Sequence, residues 1–417
     1  MAESSDLNYL RGVNMEGSIF NFNKYYKLTY KVHIIILGNF FSKCTYFMVW
    51  PFLSVILFNQ FHLSATGVGA LLTISSIIAA FSGVYAGYLS DHIGRKKIIL
   101  VGAFISAVSF FILSYIDKVF WYYLIVPCIS IGSALLMSGS NAMISDLVVD
   151  KESRELAFHY RYFFTNVSAA LGPFIGVMLG LSAKTSTFIL TSIVFFIFSA
   201  LLWIALPDIK NINKIEKNNQ RAFNFYYVCV NMLKHRLLMK LLIINALLLI
   251  VYANFDSTLV QYITRYNNIN PVETISYIFI TNALVVIFAQ FLMLRLLNAY
   301  SLRTRLFLGV FVICVSQILF ACIPATFLVG LVISTIVLSV GELMVYPAYS
   351  VEIDRIAPDE FRGSYFGLMN LLILVKSIAP LYGGVMLDLY GKTVVFFSLA
   401  GMCAFIFILL INYDFEK

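Results

Sequence analysis

The chain alternates long apolar runs with short polar knots. No Asp, Glu, Lys or Arg occurs from Ala65 to Tyr88 or from Ile98 to Ile116, and between these runs "GYLSDHIGRKKII" (residues 87–99) gathers Asp91, Arg95, Lys96 and Lys97. A hydrocarbon core about 30 Å thick takes roughly 20 apolar residues of helix. By that ruler twelve segments qualify, near residues 32–58, 65–89, 98–116, 119–145, 158–182, 185–206, 238–263, 274–294, 306–323, 326–350, 364–387 and 393–413. Every backbone group inside a bilayer must be satisfied internally, so each segment is predicted to be a helix. The runs are too long and too continuously apolar for the alternating strands of a barrel. The fold class predicted is an all-α membrane protein of twelve transmembrane helices.

Composition agrees with this reading. Of 417 residues, 60% are hydrophobic and 12% charged, against about 25% charged in soluble domains. The six cysteines are scattered, and no CxxC pair or metal-ligand spacing occurs, so they read as small apolar residues. Basic residues set the orientation, because they stay on the cytoplasmic side. With the N-terminus inside, 22 of the 29 Lys and Arg fall in the tails and inner loops (counting Lys240 at the border of its segment), four in outer loops (Lys118, Lys184, Arg265, Lys392) and three within segments. Both termini are therefore expected in the cytoplasm, with the protein in the plasma membrane (the inner membrane in a bacterium). The net charge of +8 is topogenic and implies no nucleic-acid partner.

A repeat divides the chain. "DLVVDKESR" (Asp146 to Arg154) and "DRIAPDEFR" (Asp354 to Arg362) share the same step from Asp to Arg, and "GPFIGVML" (172–179) matches "APLYGGVML" (379–387) with one residue inserted. Arg303 and Arg305 stand in the matching place to Arg95 and Lys97. Each offset is close to half the chain. The long hydrophilic insert, with a possible amphipathic helix from about Arg221 to Arg236, falls at the midpoint. These observations give a cytoplasmic tail over 1–31, a six-helix bundle over 32–206, a cytoplasmic linker over 207–237 and a second six-helix bundle over 238–413. Six-helix repeats are a signature of many secondary transporters.

"GYLSDHIGRKK" resembles the signature G-x-L-x-D-x-x-G-R-K/R of the loop after the second helix in the major facilitator superfamily. Gly87, Leu89, Asp91, Gly94, Arg95 and Lys96 carry the match. Glycines permit tight turning, and an aspartate suits a helix N-terminus. The resemblance implies the major facilitator fold of two pseudo-symmetric halves, and a loop that latches them together on the cytoplasmic side. Arg154 and Arg161, at the same end of the fifth segment, join this gate set. "ALGPFIGVMLG" resembles the helix-packing motif of the drug:proton antiporter branch through Gly172, Pro173 and Gly176. The arginine usual in the fourth helix of proton-coupled members is absent; Val126 stands there, followed by Pro127.

Charge inside a bilayer marks function, since an ionised side chain near its centre costs about 2.5–3.5 kcal/mol on insertion scales. Besides Lys240 at a segment border, five occur within segments: Lys43, Arg161, Asp256, Glu342 and Lys376. Thr335, Ser339, Glu342, Tyr346 and Tyr349 recur at helical spacing, as do Asn39, Lys43, Tyr46 and Trp50. Asn245, Tyr252 and Asp256 form a third stripe. The family fold would turn these stripes into a central cavity. The expected substrate and proton pathway is Asn39, Lys43, Tyr46, Trp50, Asp256, Ser339, Glu342, Tyr346 and Lys376, with Lys43 answering the two acids. The competing reading is that these residues hold helices together. A carboxylate that loses hydration holds a proton more readily, and a nearby ammonium opposes this.

The function expected is secondary active transport of small organic molecules by alternating access, as proton-coupled efflux. Uptake of a polar metabolite, peptide or siderophore-like compound, or uniport, is the alternative, and a non-transporting receptor the remote one. A peptide permease is disfavoured because "NFFSKCTYF" lacks the acids of that branch's E-x-x-E-R signature. No enzyme constellation appears. The partners expected are a small-molecule substrate and the lipid bilayer, with the protein acting as a monomer and no cofactor beyond a proton gradient.

Overall fold

The computed structural model describes residues 28–148, 150–207, 236–267, 269–297, 300–356 and 372–413. Nearly all of the expected tail 1–31 and linker 207–237 lie outside these residues, as does the second half of the 354–362 repeat. Apolar run length makes helices here, and polar caps and glycines end them. The helices are α1 (Tyr30–Val49), α2 (Leu53–Phe61), α3 (Ala65–Ile93), α4 (Arg95–Leu113), α5 (Val119–Leu147), α6 (Lys151–Met178) and α7 (Ser186–Ala205) in the first half. The second half holds α8 (Arg236–Asn254), α9 (Val260–Tyr266), α10 (Pro271–Leu297), α11 (Leu302–Cys322), α12 (Leu328–Ile356) and α13 (Ala379–Ile411). No strand occurs among the described residues.

Ten stretches of the described residues are long and apolar enough to cross a membrane. One of them, Leu372–Ile411, is broken at Gly391, whose φ of 73° leaves the helical region. The helix α6 has 28 residues and a more polar composition. The described helices follow the order of the segments read from the sequence, the eleventh of which (364–387) begins outside the described residues. The first pass is interrupted by a 3₁₀ turn over Trp50–Phe52, where Pro51 removes a backbone donor.

The loop between α3 and α4 is a single residue. Gly94 has φ 99° and ψ 144°, a conformation that L side chains rarely adopt. Gly87, expected to help the turn, lies inside α3 instead, and a Cβ there would meet only Ser138 at 3.8 Å. The reversal needs one glycine because α4 starts immediately at Arg95.

The two halves repeat one helix crossing. A Cβ on Gly102 would come within 2.7 Å of the Gly132 carbonyl oxygen, and one on Gly341 within 3.1 Å of the Gly309 oxygen. So α4 crosses α5, and α11 crosses α12, at backbone contact. The motif residue Gly172 meets the first pass in the same way, 2.5 Å from the Cys44 oxygen, while Pro173 is accommodated inside α6 and Gly176 packs on Ser182. Each half has its own apolar core; the second also takes in Phe52, Val55 and Ala65 from the first.

Those three residues mark where the halves meet. The Asp388 carboxylate accepts from the backbone N–H of Ala65 (3.1 Å) and Thr66 (2.7 Å), and from the Thr66 hydroxyl (2.7 Å). It thereby caps α3, whose first N–H groups lack helical partners and whose dipole favours an anion. Nearby, Arg265 donates to the Leu63 carbonyl at 2.8 Å and lies over the Phe58 ring at 4.7 Å. The Leu381 N–H reaches the Thr73 hydroxyl at 3.1 Å. This junction joins the halves at the end of α3 opposite Gly94 and its basic residues.

Candidate functional site

The site grows from an irregularity in the seventh pass. Between α8 and α9 the backbone winds as a π-helix over Phe255–Leu259, a form that appears mostly as single turns at functional places. Side chains reinforce it: the Thr258 hydroxyl donates to Asn254 Oδ1 at 2.5 Å and the Ser257 hydroxyl to the Ala253 carbonyl at 2.9 Å. Phe255, Ser257, Thr258 and Leu259 are buried, and Asp256 alone of the five is exposed. It lies deep in the protein and yet is accessible.

Glu342 of α12 is the second acid. Asn282 of α10 donates to Glu342 Oε2 at 3.4 Å and to the Ser339 hydroxyl at 2.9 Å. The Tyr252 hydroxyl, one turn before Asp256, is within hydrogen-bonding reach of Glu342. The tyrosines make a wall, with Tyr252 and Tyr346 edge to face at 5.9 Å. Asp256 and Glu342 lie in electrostatic range of each other, and Lys376 in range of both.

Lys43 occupies a different wall. Its Nζ lies 3.5 Å from the Ser133 hydroxyl of α5 and 4.7 Å from the Tyr46 ring centroid. Tyr46 stacks on Trp50 at 5.1 Å. The charge nearest in effect to Lys43 is another cation, Arg161 of α6. Lys43 thus lies against Ser133 and Tyr46, while Lys376 is in electrostatic range of both acids. Asn39 is half-buried, and its Nδ2 has no partner. Ser339 and Thr335 are fully buried and donate to carbonyls one turn back. Ser339 also accepts from Asn282, the amide that reaches Glu342. Tyr349 is buried too, donating to the Leu241 carbonyl at 2.7 Å.

Of the loop set, Arg95 is 7% exposed; its Nε lies 3.1 Å from Asp146 and its Nη1 2.6 Å from the Ser90 hydroxyl. The motif arginine is thus tied to the end of α5 within its own half. The Asp91 side chain lies outside the described residues. Lys96 and Arg154 are half-buried at the same end, and Arg161 sits farther along α6. Val126 is fully buried in the first half's core, so its position does not front the acids.

The sequence profile of the Major Facilitator Superfamily matches residues 35–375 and 241–416. The chain belongs to the Major Facilitator Superfamily. It is a membrane transporter and not an enzyme. Among relatives of this superfamily, the uncharacterized MFS-type transporter YqjV of Bacillus subtilis (strain 168) is 25% identical over 361 residues, covering 86% of each chain. The Na(+), Li(+), K(+)/H(+) antiporter of Planococcus maritimus is 21% identical over 83% of this chain and 87% of its own. The crystal structure of the nucleoside transporter NupG superimposes with a TM-score of 0.72 at 14% identity, covering 93% of this chain and all of that one. That likeness is one of fold.

Two features of the superfamily member were not legible beforehand. Glu352 is fully buried beyond the expected end of the tenth segment, accepting from the Tyr413 hydroxyl (2.7 Å) and Arg355 (2.6 Å). A signal existed, since α12 runs on as "SVEIDRI" without a helix breaker. Asp388 gave none, because its partners are more than 300 residues away in the chain.

Proposed function

We propose that this transporter exports small organic molecules in exchange for protons. The observation that carries the reading is that Asp256 and Glu342, acids from two helices, lie in electrostatic range of each other with Lys376 in range of both. Two carboxylates with a single nearby ammonium leave one negative charge in excess, and a proton is the simplest ion to balance it. The aromatic walls of Tyr46, Trp50, Tyr252 and Tyr346 suit solutes with apolar surface. A relative named as a cation/H+ antiporter supports exchange against protons.

With both termini cytoplasmic, as the basic residues indicate, the Asp388 junction faces outward and the described conformation is closed to the outside. The transporter acts as a monomer, driven by the proton gradient with no cofactor. The proposal is tested by reconstituting the protein in proteoliposomes and imposing a pH gradient with solutes first selected by thermal stabilisation. Solute is expected to move against the proton flow. Solute movement indifferent to the gradient would leave uniport as the reading. The orientation has its own check. A cysteine replacing Ser186, at the start of α7, is expected to react with impermeant reagents in intact cells; reaction only after permeabilisation would invert the topology.

A further inference from the structure

Gln261 of α9 is 1% exposed, and both its amide oxygen and its amide nitrogen are buried without a hydrogen-bond partner. No other side-chain amide among the described residues has both polar atoms in that condition. The polar side chains around it on the same pass are provided for. The Thr264 hydroxyl donates to the Val260 carbonyl at 2.7 Å, and the Tyr262 hydroxyl to the Ile323 carbonyl at 3.2 Å. The Asn267 amide donates to the Thr274 hydroxyl at 3.0 Å and to the Ala325 carbonyl at 3.1 Å. Gln261 is the exception.

The face of α9 that carries it is turned to the first half. Arg265 lies one helical turn farther on and on the same face. It donates to the Leu63 carbonyl at 2.8 Å and covers the Phe58 ring, both in the first half. Helix α9 packs on α2, and Val260 and Ile263 share one apolar cluster with Phe52 and Val55 of the first half. The Gln261 amide is therefore shut in where the halves meet.

A buried amide with no partner has given up its water and gained nothing, which disfavours the form that buries it by roughly 5- to 150-fold. Alternating access requires the halves to part at this contact, and parting returns the amide to water. We infer that Gln261 biases the junction towards opening. Its amide offsets part of the closure supplied by Asp388, Arg265 and the apolar cluster, so the closed and open forms both stay populated. An apolar residue there would hold the halves shut. The inference rests on alternating access alone and needs neither a proton nor a particular solute.

Gln261→Met tests it, because methionine keeps the unbranched shape of the side chain and has no strong donor or acceptor. The reporter is Val55→Cys, at a position fully buried in the cluster that joins the halves. The purified protein, without solute or gradient, is reacted with N-ethylmaleimide. Modification is followed by peptide mass spectrometry, which separates position 55 from the six native cysteines. A thiol at position 55 is reached when the junction opens, so its rate reads the open fraction. It should react faster than native Cys403, which is fully buried inside the second half and is reached only on unfolding. Gln261→Met is expected to slow labelling at position 55 by at least about fivefold and to raise the melting temperature. Gln261→Leu should act in the same direction, which separates loss of the amide from the fit of one side chain, and it serves alone if the methionine variant fails to fold. If the amide had a partner, either variant would strand it, and labelling would quicken as the melting temperature fell. Unchanged or faster labelling in the folded variants, or equal rates at position 55 and Cys403 in the parent, overturn the inference.

Discussion

Glu342→Gln is expected to abolish transport driven by a pH gradient while solute-for-solute exchange stays measurable. The glutamine keeps the shape of the side chain and can still accept from Asn282, whose amide lies 3.4 Å from Glu342 Oε2. It replaces one carboxylate oxygen with an amide nitrogen, so the group no longer takes up a proton. Folding should survive, since taking one charge out of an incompletely paired group relieves desolvation. In proteoliposomes, gradient-driven flux should fall at least about tenfold, a change near 1.4 kcal/mol in the coupled step. Exchange with no gradient should stay within about threefold, because it requires only that the solute-loaded protein change its opening. The sign follows from the orientation. An acidic outside loads the acids when the cavity opens outward, and release occurs inside, so solute is driven out. Asp256→Asn is expected to act in the same direction, through loss of the second carboxylate on the π-helical turn. If both variants retain full gradient-driven transport, the acids are structural and the proton reading fails.

Gly384→Val is the second large effect expected, and it acts on conformation rather than chemistry. A Cβ at Gly384 would lie 2.8 Å from the Ala65 carbonyl carbon and 3.2 Å from Thr66 Cα; one at Gly69 would lie 2.9 Å from the Pro380 carbonyl carbon and 3.1 Å from Leu381 Cα. These are backbone atoms of the opposite half and cannot rotate away as a flexible side chain can. Overpacking a well-fitted contact costs about 1–3 kcal/mol, which shifts the ratio of closed to open forms by roughly 5- to 150-fold. The valine variant should reach the membrane in normal amount and lose at least about tenfold in transport. A cysteine at Thr66, engaged by Asp388 in the closed junction, should become readily labelled in the valine background. Asp388→Ala should give a weaker shift of the same sign, since it removes the cap without adding a clash. Full transport with Thr66→Cys still protected would show that the junction tolerates the extra volume.

Where the chain crosses the bilayer, and that it does so in two related halves, was legible in the residues alone. Run length is a local quantity, so the helices Ala65–Ile93 and Arg95–Leu113 could be read to within four residues from the uncharged stretches flanking Gly94. Periodicity also picked out Lys43, Asp256 and Glu342, because charge is too costly in a membrane-spanning segment to stand there without cause. Periodicity does not tell which neighbour a stripe faces. It took the packed helices to bring Lys376 into range of both acids, to set Lys43 against Ser133, and to bury Ser339 beside Asn282. They alone placed Asp388 at the head of α3 and put Asp256 on a π-turn. Those outcomes depend on helix rotation and on crossings fixed at Gly102 with Gly132 and Gly309 with Gly341. Such crossings are settled by packing between residues far apart in the chain, for which a one-dimensional pattern holds no coordinate.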